Sequence, residues 1–133
     1  MWYNVVCILN LSIPNIKLEF FLKIAVVGSR KINRLNLDGY LTNAEEIVSG
    51  GAAGVDSCAA DYARANGIKL TIFLPQYNLY GRAAPIVRNK KIVDYADKIV
   101  VFWDGISKGT FSVIKYAEKA GKPCKIIRIS TPN

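Results

Sequence analysis

Histidine is absent from the 133 residues. A Ser-His-Asp triad, a Cys-His dyad and a histidine metal site are excluded with it. Cysteine is scarce. Cys7, Cys58 and Cys124 lie far apart and form no CxxC spacing, so they read as small hydrophobic side chains in a reducing compartment rather than a disulfide framework or a zinc site. The apolar N-terminal stretch lacks the positive segment and small-residue cleavage site of a signal peptide. Asn10, Ser12, Pro14, Asn15, Lys17 and Glu19 interrupt it before it reaches membrane length. A cytoplasmic protein with no metal, no required cofactor and no membrane partner is the expectation. Acidic residues are few, 10 against 18 Lys and Arg, which leaves a net charge of +8. Such a surface attracts anionic ligands or polyanions, and it is also what a solvated, soluble face carries.

What is present is enough for a core. Hydrophobic residues make up 51% of the chain, and 133 residues suit one domain of ordinary size. The most informative stretch is Ser49-Gly50-Gly51-Ala52-Ala53-Gly54-Val55-Asp56. An apolar run, Ile47-Val48, stops in two glycines; a third follows, and helical spacing begins at Val55. This pattern predicts a strand, a tight loop and a helix N-terminus. Backbone N–H groups in such a loop approach an anion closely, and the helix dipole favours negative charge there. Glycine also serves strand-to-helix turns for steric reasons alone.

From Lys23 onward strand and helix patterns alternate. Strands are predicted at Ile24–Val27, Glu46–Ser49, Leu70–Leu74, Ile99–Trp103 and Lys125–Ile129. Helices are predicted over Leu35–Asn43, from Val55 to a C-cap at Asn66-Gly67, after Pro85 to about Tyr95, and over Thr110–Ala120. Gln76 to Pro85 reads as a loop and Ser130–Asn133 as a tail. Residues 1–22 form an N-terminal extension, either an added strand, since Trp2 to Leu11 is rich in β-formers, or the result of a mis-assigned start. Residues 23–133 then form one domain.

Apolar strands separated by amphipathic helices imply an α/β, Rossmann-like three-layer sandwich. Its sheet is mainly parallel and five-stranded, and right-handed crossovers predict the order 3-2-1-4-5. A ligand crevice is then expected where the winding reverses, at the carboxyl ends of strands one and four. Gly28-Ser29-Arg30 and Asp104-Gly105-Ile106-Ser107-Lys108-Gly109-Thr110 lie at those ends, with the Gly50–Asp56 loop beside them. The convergence of three glycine-bearing loops points to a nucleotide-type site.

Within it, Ser29 is either a phosphate donor through its hydroxyl and N–H or a turn and cap residue. Arg30 is a bidentate phosphate clamp or an exposed arginine. Asp56 complements the helix dipole or holds a ribose hydroxyl. Lys108 resembles a phosphate-side lysine, although no Walker A pattern is present. Tyr77, Tyr80 and Trp103 are candidates to stack on a base, with core packing the alternative for Trp103.

The strand Lys23–Gly28 with Ser29-Arg30, the Ser49–Asp56 loop, Arg88-Asn89 and Gly109-Thr110 together resemble the SLOG superfamily, its YspA-like branch above all, over about residues 23–129. The superfamily includes the DNA-processing protein DprA (Smf) and the LOG phosphoribohydrolases. The resemblance implies a bacterial or phage protein, often a homodimer, with a Rossmann-like domain for nucleotides or ADP-ribose-like ligands. It carries ligand contacts onto Gly28, Ser29 and Arg30, onto Gly50, Gly51, Ala52, Gly54, Val55 and Asp56, onto Arg88 and Asn89, and onto Asp104, Gly105, Ser107, Lys108, Gly109 and Thr110. LOG enzymes carry PGGxGTxxE with a catalytic glutamate, and Val113 stands at that position. Catalysis therefore has no assigned acid; Asp56 or Asp104 could supply one, and Arg88 is the further catalytic candidate. Three functions follow: binding or sensing of a nucleotide-derived ligand; N-glycosidic hydrolysis or transfer; and single-stranded DNA binding, for which nucleic acid would be the partner.

Overall fold

Alternation decides the architecture. Along β1 (Leu22–Gly28), Ile24 and Val26 point to one face while Ala25 and Val27 point to the other, and both faces are buried. A strand buried on both sides needs a layer of structure above and below it. In the computed structural model, which describes residues 21–130, the other strands are β2 (Ala44–Ser49), β3 (Lys69–Ile72), β4 (Lys98–Trp103) and β5 (Cys124–Arg128). They pair in parallel in the order β3-β2-β1-β4-β5. This is the Rossmann-like α/β sheet that the sequence predicts. Among the described residues no helix is long and apolar enough to cross a membrane. The N-terminal extension lies outside the described residues apart from Phe21 and Leu22, and Leu22 already belongs to β1.

One face is covered by α1 (Val55–Ala65), whose Val55, Ala59 and Ala63 lie on Ile24, Val26, Ile47, Val100 and Phe102. The other is covered by α3 (Ala84–Tyr95) and α4 (Lys108–Ala120). There Ile92, Val93, Val113 and Ala117 pack on Ala25, Val27, Val48, Ile99 and Val101. Between β3 and α3 run a one-turn helix, α2 (Tyr77–Tyr80), and a 3₁₀ turn (Gly81–Ala83).

The helix predicted over Leu35–Asn43 does not form. Asn36 Oδ1 accepts the Asp38 N–H at 2.9 Å, an Asx turn that competes with helical pairing. Gly39 and Asn43 both take positive φ, 86° and 66°, which a helix interior does not accommodate. The apolar spacing still does its work: Ile32, Leu37 and Leu41 are buried beside α1, and Tyr40 meets the Phe102 ring edge-on at 5.2 Å. Smaller corrections have local causes. The segment predicted as a loop from Gln76 winds into α2 because the Gln76 carbonyl accepts the N–H groups of Leu79 and Tyr80, both at 3.0 Å. Helix α4 starts at Lys108, ahead of the predicted Thr110, because Ser107 caps it; its side chain accepts the Thr110 N–H.

A polar latch crosses the second core. Glu46 on β2 is buried, and its Oε2 accepts the Tyr95 hydroxyl at 2.5 Å and the Thr71 hydroxyl at 2.8 Å. Lys69 Nζ lies 3.3 Å from Oε1. Burial alone would raise the Glu46 carboxyl, but the two hydroxyls and the Lys69 ammonium outweigh it and hold the group below its ordinary value of 4.5. A carboxyl lowered by folding contributes stability above the unfolded pKa and loses it as the pH falls through the folded one. Glu46→Gln is therefore expected to lower the thermal midpoint at pH 7, with a gap to wild type that narrows once the pH drops below about 4.5. Melts at the two pH values check this, and a gap that is constant with pH would contradict it.

Candidate functional site

Strands β1 and β4 are neighbours whose connections leave in opposite directions, and their carboxyl ends open a crevice at that point. A cavity of about 400 Å³ occupies it, within the range of roughly 300–1,000 Å³ common for small-molecule sites. Its lining comes from four segments: Val27–Lys31 at the end of β1; Gly50, Ala52 and Asp56 around the start of α1; Pro85, Arg88, Asn89 and Ile92 on α3; and Asp104, Ile106, Ser107, Gly109 and Thr110.

Ser29 joins these segments. Its N–H bonds the Phe102 carbonyl at 3.2 Å, its carbonyl accepts the Val55 N–H at 3.2 Å, and its hydroxyl donates to Asp104 Oδ2 at 2.8 Å. Both donors are used inside the protein, so the cap-and-turn role is the one that its contacts express. The approach depends on two glycines. A Cβ on Gly28 would collide with the Phe102 carbonyl and the Val55 side chain, and one on Gly54 with the Ser29 carbonyl. Gly54 also has φ 78°, which disfavours any L side chain.

Asp104 organises the opposite wall. Its Oδ1 accepts the N–H groups of Ile106 and Ser107, both at 2.8 Å. These amides and the Ser29 hydroxyl hold its carboxyl below the ordinary 3.8 despite desolvation. Asp104 is thus an anionic loop clasp with both oxygens engaged, and it carries no proton to give at neutral pH. Beyond it, Ser107 opens α4. The N–H groups of Lys108 and Gly109 stand in the first turn, where a helix leaves them without intrahelical acceptors, and Gly109 and Thr110 line the cavity.

The charged centre is formed by Arg88 and Asp56, which are 8% and 7% exposed. Arg88 Nη1 donates to the Gly50 carbonyl at 2.6 Å, and Nε donates to Asn89 Oδ1 at 2.8 Å. Nη2 has no acceptor among the described residues. Asp56 Oδ2 accepts the Ala52 N–H at 3.0 Å. A Cβ on Gly50 would stand 2.7 Å from Arg88 Nη1 and 3.0 Å from Asp56 Oδ2, so glycine lets both groups close on the loop. Burial raises the Asp56 carboxyl above 3.8, against the pull of the Ala52 N–H and the Arg88 and Arg30 charges. Burial also lowers Arg88, while Asp56 supports its charge.

The Gly50–Asp56 loop thus differs from an empty phosphate cradle: the protein's own carboxylate takes one of its amides. Among the described residues, the Gly109 N–H of α4 and Arg88 Nη2 belong to lining residues and have no hydrogen-bond partner, and exposed Arg30 and Lys31 also line the cavity.

Of the sequence-predicted residues, the cavity gathers Gly28, Ser29 and Arg30; Gly50, Ala52 and Asp56; Arg88 and Asn89; and Asp104, Ser107, Gly109 and Thr110. Five lie elsewhere. Val55 is fully buried under Gly28, Gly54 packs on Ser29, and Gly51 faces Ile72 and Leu74. Gly105 lies against the Arg128 guanidinium, and Lys108 is exposed outside the lining. Trp103 stacks on Phe111 with centroids 5.6 Å apart and donates Nε1–H to the Ser107 carbonyl, so it braces the loop. Tyr77 and Tyr80 are exposed on α2 and do not line the cavity. Pro85, Ile92, Lys31 and Ile106 line it without having been singled out. The i, i+4 relation of Arg88 and Ile92 on one helix, and of Pro85 and Arg88 at i, i+3, was the available signal. Among the described residues no three His, Cys, Asp or Glu side chains come together as a metal site.

Replacing Asp104 by Ala removes the acceptor of two loop amides and a buried hydroxyl. A loss of about 1–3 kcal/mol in urea denaturation is expected, and a loss under about 0.5 kcal/mol would show that the clasp is dispensable.

By sequence, the chain matches no family model and no curated protein.

Proposed function

We propose that the cavity binds a phosphate-bearing, nucleotide-derived ligand. The observation that carries this reading is the pairing of the α4 N-terminus with the buried Arg88 guanidinium across one 400 Å³ cavity at the switch point of the sheet. An anion there meets helix N–H groups and a fixed cation, with Arg30 and Lys31 at the mouth. Asp56 supplies an acceptor for a sugar hydroxyl, and Pro85, Ile92 and Ile106 supply the apolar surface that a base or sugar face requires. The resemblance to the SLOG superfamily, and to its YspA-like branch, supports the same ligand class, an ADP-ribose-like compound included.

The second reading is N-glycosidic hydrolysis of a nucleotide, favoured by Asp56. It is the one carboxyl of the cavity whose surroundings raise its pKa above the ordinary 3.8, and burial there favours its protonated form relative to a free aspartate. Val113, at the glutamate position of LOG enzymes, is fully buried in the second core and offers no acid.

Titration calorimetry against AMP, ADP, ADP-ribose, NAD and cyclic nucleotides tests the first reading. Binding tighter than about 1 mM is expected for at least one of them. Arg88→Ala, which removes a charge-assisted contact worth about 1.5–3 kcal/mol, should weaken it roughly 10- to 150-fold. Silence across the whole panel would refute the proposal.

For the second reading, chromatography of AMP incubated with the protein should show free adenine, abolished by Asp56→Asn. Binding without any release of base would leave the protein a binder.

A further inference from the structure

Beyond Gly50, on the β3 side of the sheet edge, lies a second hollow of about 250 Å³. By itself it is smaller than the roughly 300–1,000 Å³ of common ligand sites, which suits one arm of a larger molecule. Gly51, Ala53, Leu74 and Pro75 give it a small, apolar lining. Its remaining walls are Arg30, Arg88, Gly50 and Ala52, and these same four residues line the main cavity. The two hollows therefore meet at a waist that carries two guanidinium groups.

The waist is built. Arg88 Nη1 reaches the Gly50 carbonyl at 2.6 Å and the Phe73 carbonyl at 3.5 Å, which ties the end of β2 to the end of β3 beneath both hollows. The apolar side is also built. Leu74 is 64% exposed, yet its Cδ2 stands 2.8 Å from where a Cβ on Gly51 would lie, with Ile72 Cγ2 at 2.9 Å. Glycine at that position lets Leu74 lie against the loop and present an apolar surface to the hollow. An exposed leucine and proline beside two arginines match a ring flanked by negative charge.

We propose that the second hollow is a subsite for the far arm of a two-armed, diphosphate-bridged ligand. The first nucleoside occupies the main cavity, the diphosphate crosses the Arg30–Arg88 waist, and a second sugar or base packs on Leu74 and Pro75. This rests on the anion-binding reading of the main cavity and specifies which class of nucleotide the site selects.

Calorimetry with ADP as a one-armed probe, and ADP-ribose and NAD as two-armed probes, tests it. ADP-ribose or NAD should bind wild type at least about tenfold more tightly than ADP. Two exposed positions outside the main cavity then separate the arms: Leu74→Gln removes the apolar surface, and Ala53→Phe fills the hollow. In both variants the two-armed advantage should shrink to under about threefold, while ADP binds as to wild type. An equal affinity for all three probes in wild type, or an advantage that survives in both variants, overturns the subsite and leaves the main cavity's reading standing. If none of the three binds wild type, both fall.

Discussion

The Ser29–Asp104 hydrogen bond fixes the spacing on which the rest of the site depends. It spans the point where the chain turns away from β1 in one direction and from β4 in the other, at 2.8 Å and away from solvent. The remaining groups of Ser29 hold Phe102 and Val55, and the remaining oxygen of Asp104 holds the amides that lead into α4. Two helices on opposite faces of the sheet are thereby referred to a single serine. A parallel sheet leaves its carboxyl edge without further ladder partners, so loops there need bonds of this kind to keep one geometry. Gly28 and Gly54 make the junction possible by removing the only atoms that would hold the segments apart.

That junction also redistributes the donors. Glycine loops after parallel strands invite a phosphate, but an amide can serve a ligand only if the protein has not used it. Asp56 uses the Ala52 amide, and Asp104 uses those of Ile106 and Ser107. Donors at the α4 start and on Arg88 remain. The cavity is consequently a cationic, amide-rich shell with two protein carboxylates: Asp104, held as the anion by its amides, and Asp56, whose charge is disfavoured by burial. Excess positive charge would attract the proposed anionic ligand, while the Asp56 carboxylate limits self-repulsion around Arg88.

The sheet order and the location of the crevice were legible in the sequence because both follow from alternation and handedness, which are coarse and local. Ile24 to Val27 alternate between two buried faces, and right-handed crossovers allow the observed doubly wound order. The layer over Ile32 to Leu41 was legible in composition but not in conformation. Ile32, Leu37 and Leu41 are buried, yet Asn36, Gly39 and Asn43 give the backbone cheaper turns than the predicted helix. The loop identities at the site were readable from their glycines. The division of labour within them was not, because it depends on which long-range partner claims each donor, as between Ser29 and residue 104, some 75 positions apart.

Arg88 shows what this implies for function. Its guanidinium is nearly buried without an ion-pair partner within contact distance among the described residues, and two of its nitrogens are spent on neutral oxygens. A buried cation compensated only by carbonyls and a nearby, partly disfavoured carboxylate is stabilised incompletely. On the proposed reading, an anion entering the cavity would supply the missing charge, and its own desolvation would be offset by a donor already held in place. The helix N-terminus adds a second preorganised attraction on the far wall. On the proposed reading, a molecule with its negative charge between two ring systems would place that charge at Arg88 while filling both hollows beside it. Such a site would discriminate ligands by where along their length the charge lies, more than by how much charge they carry.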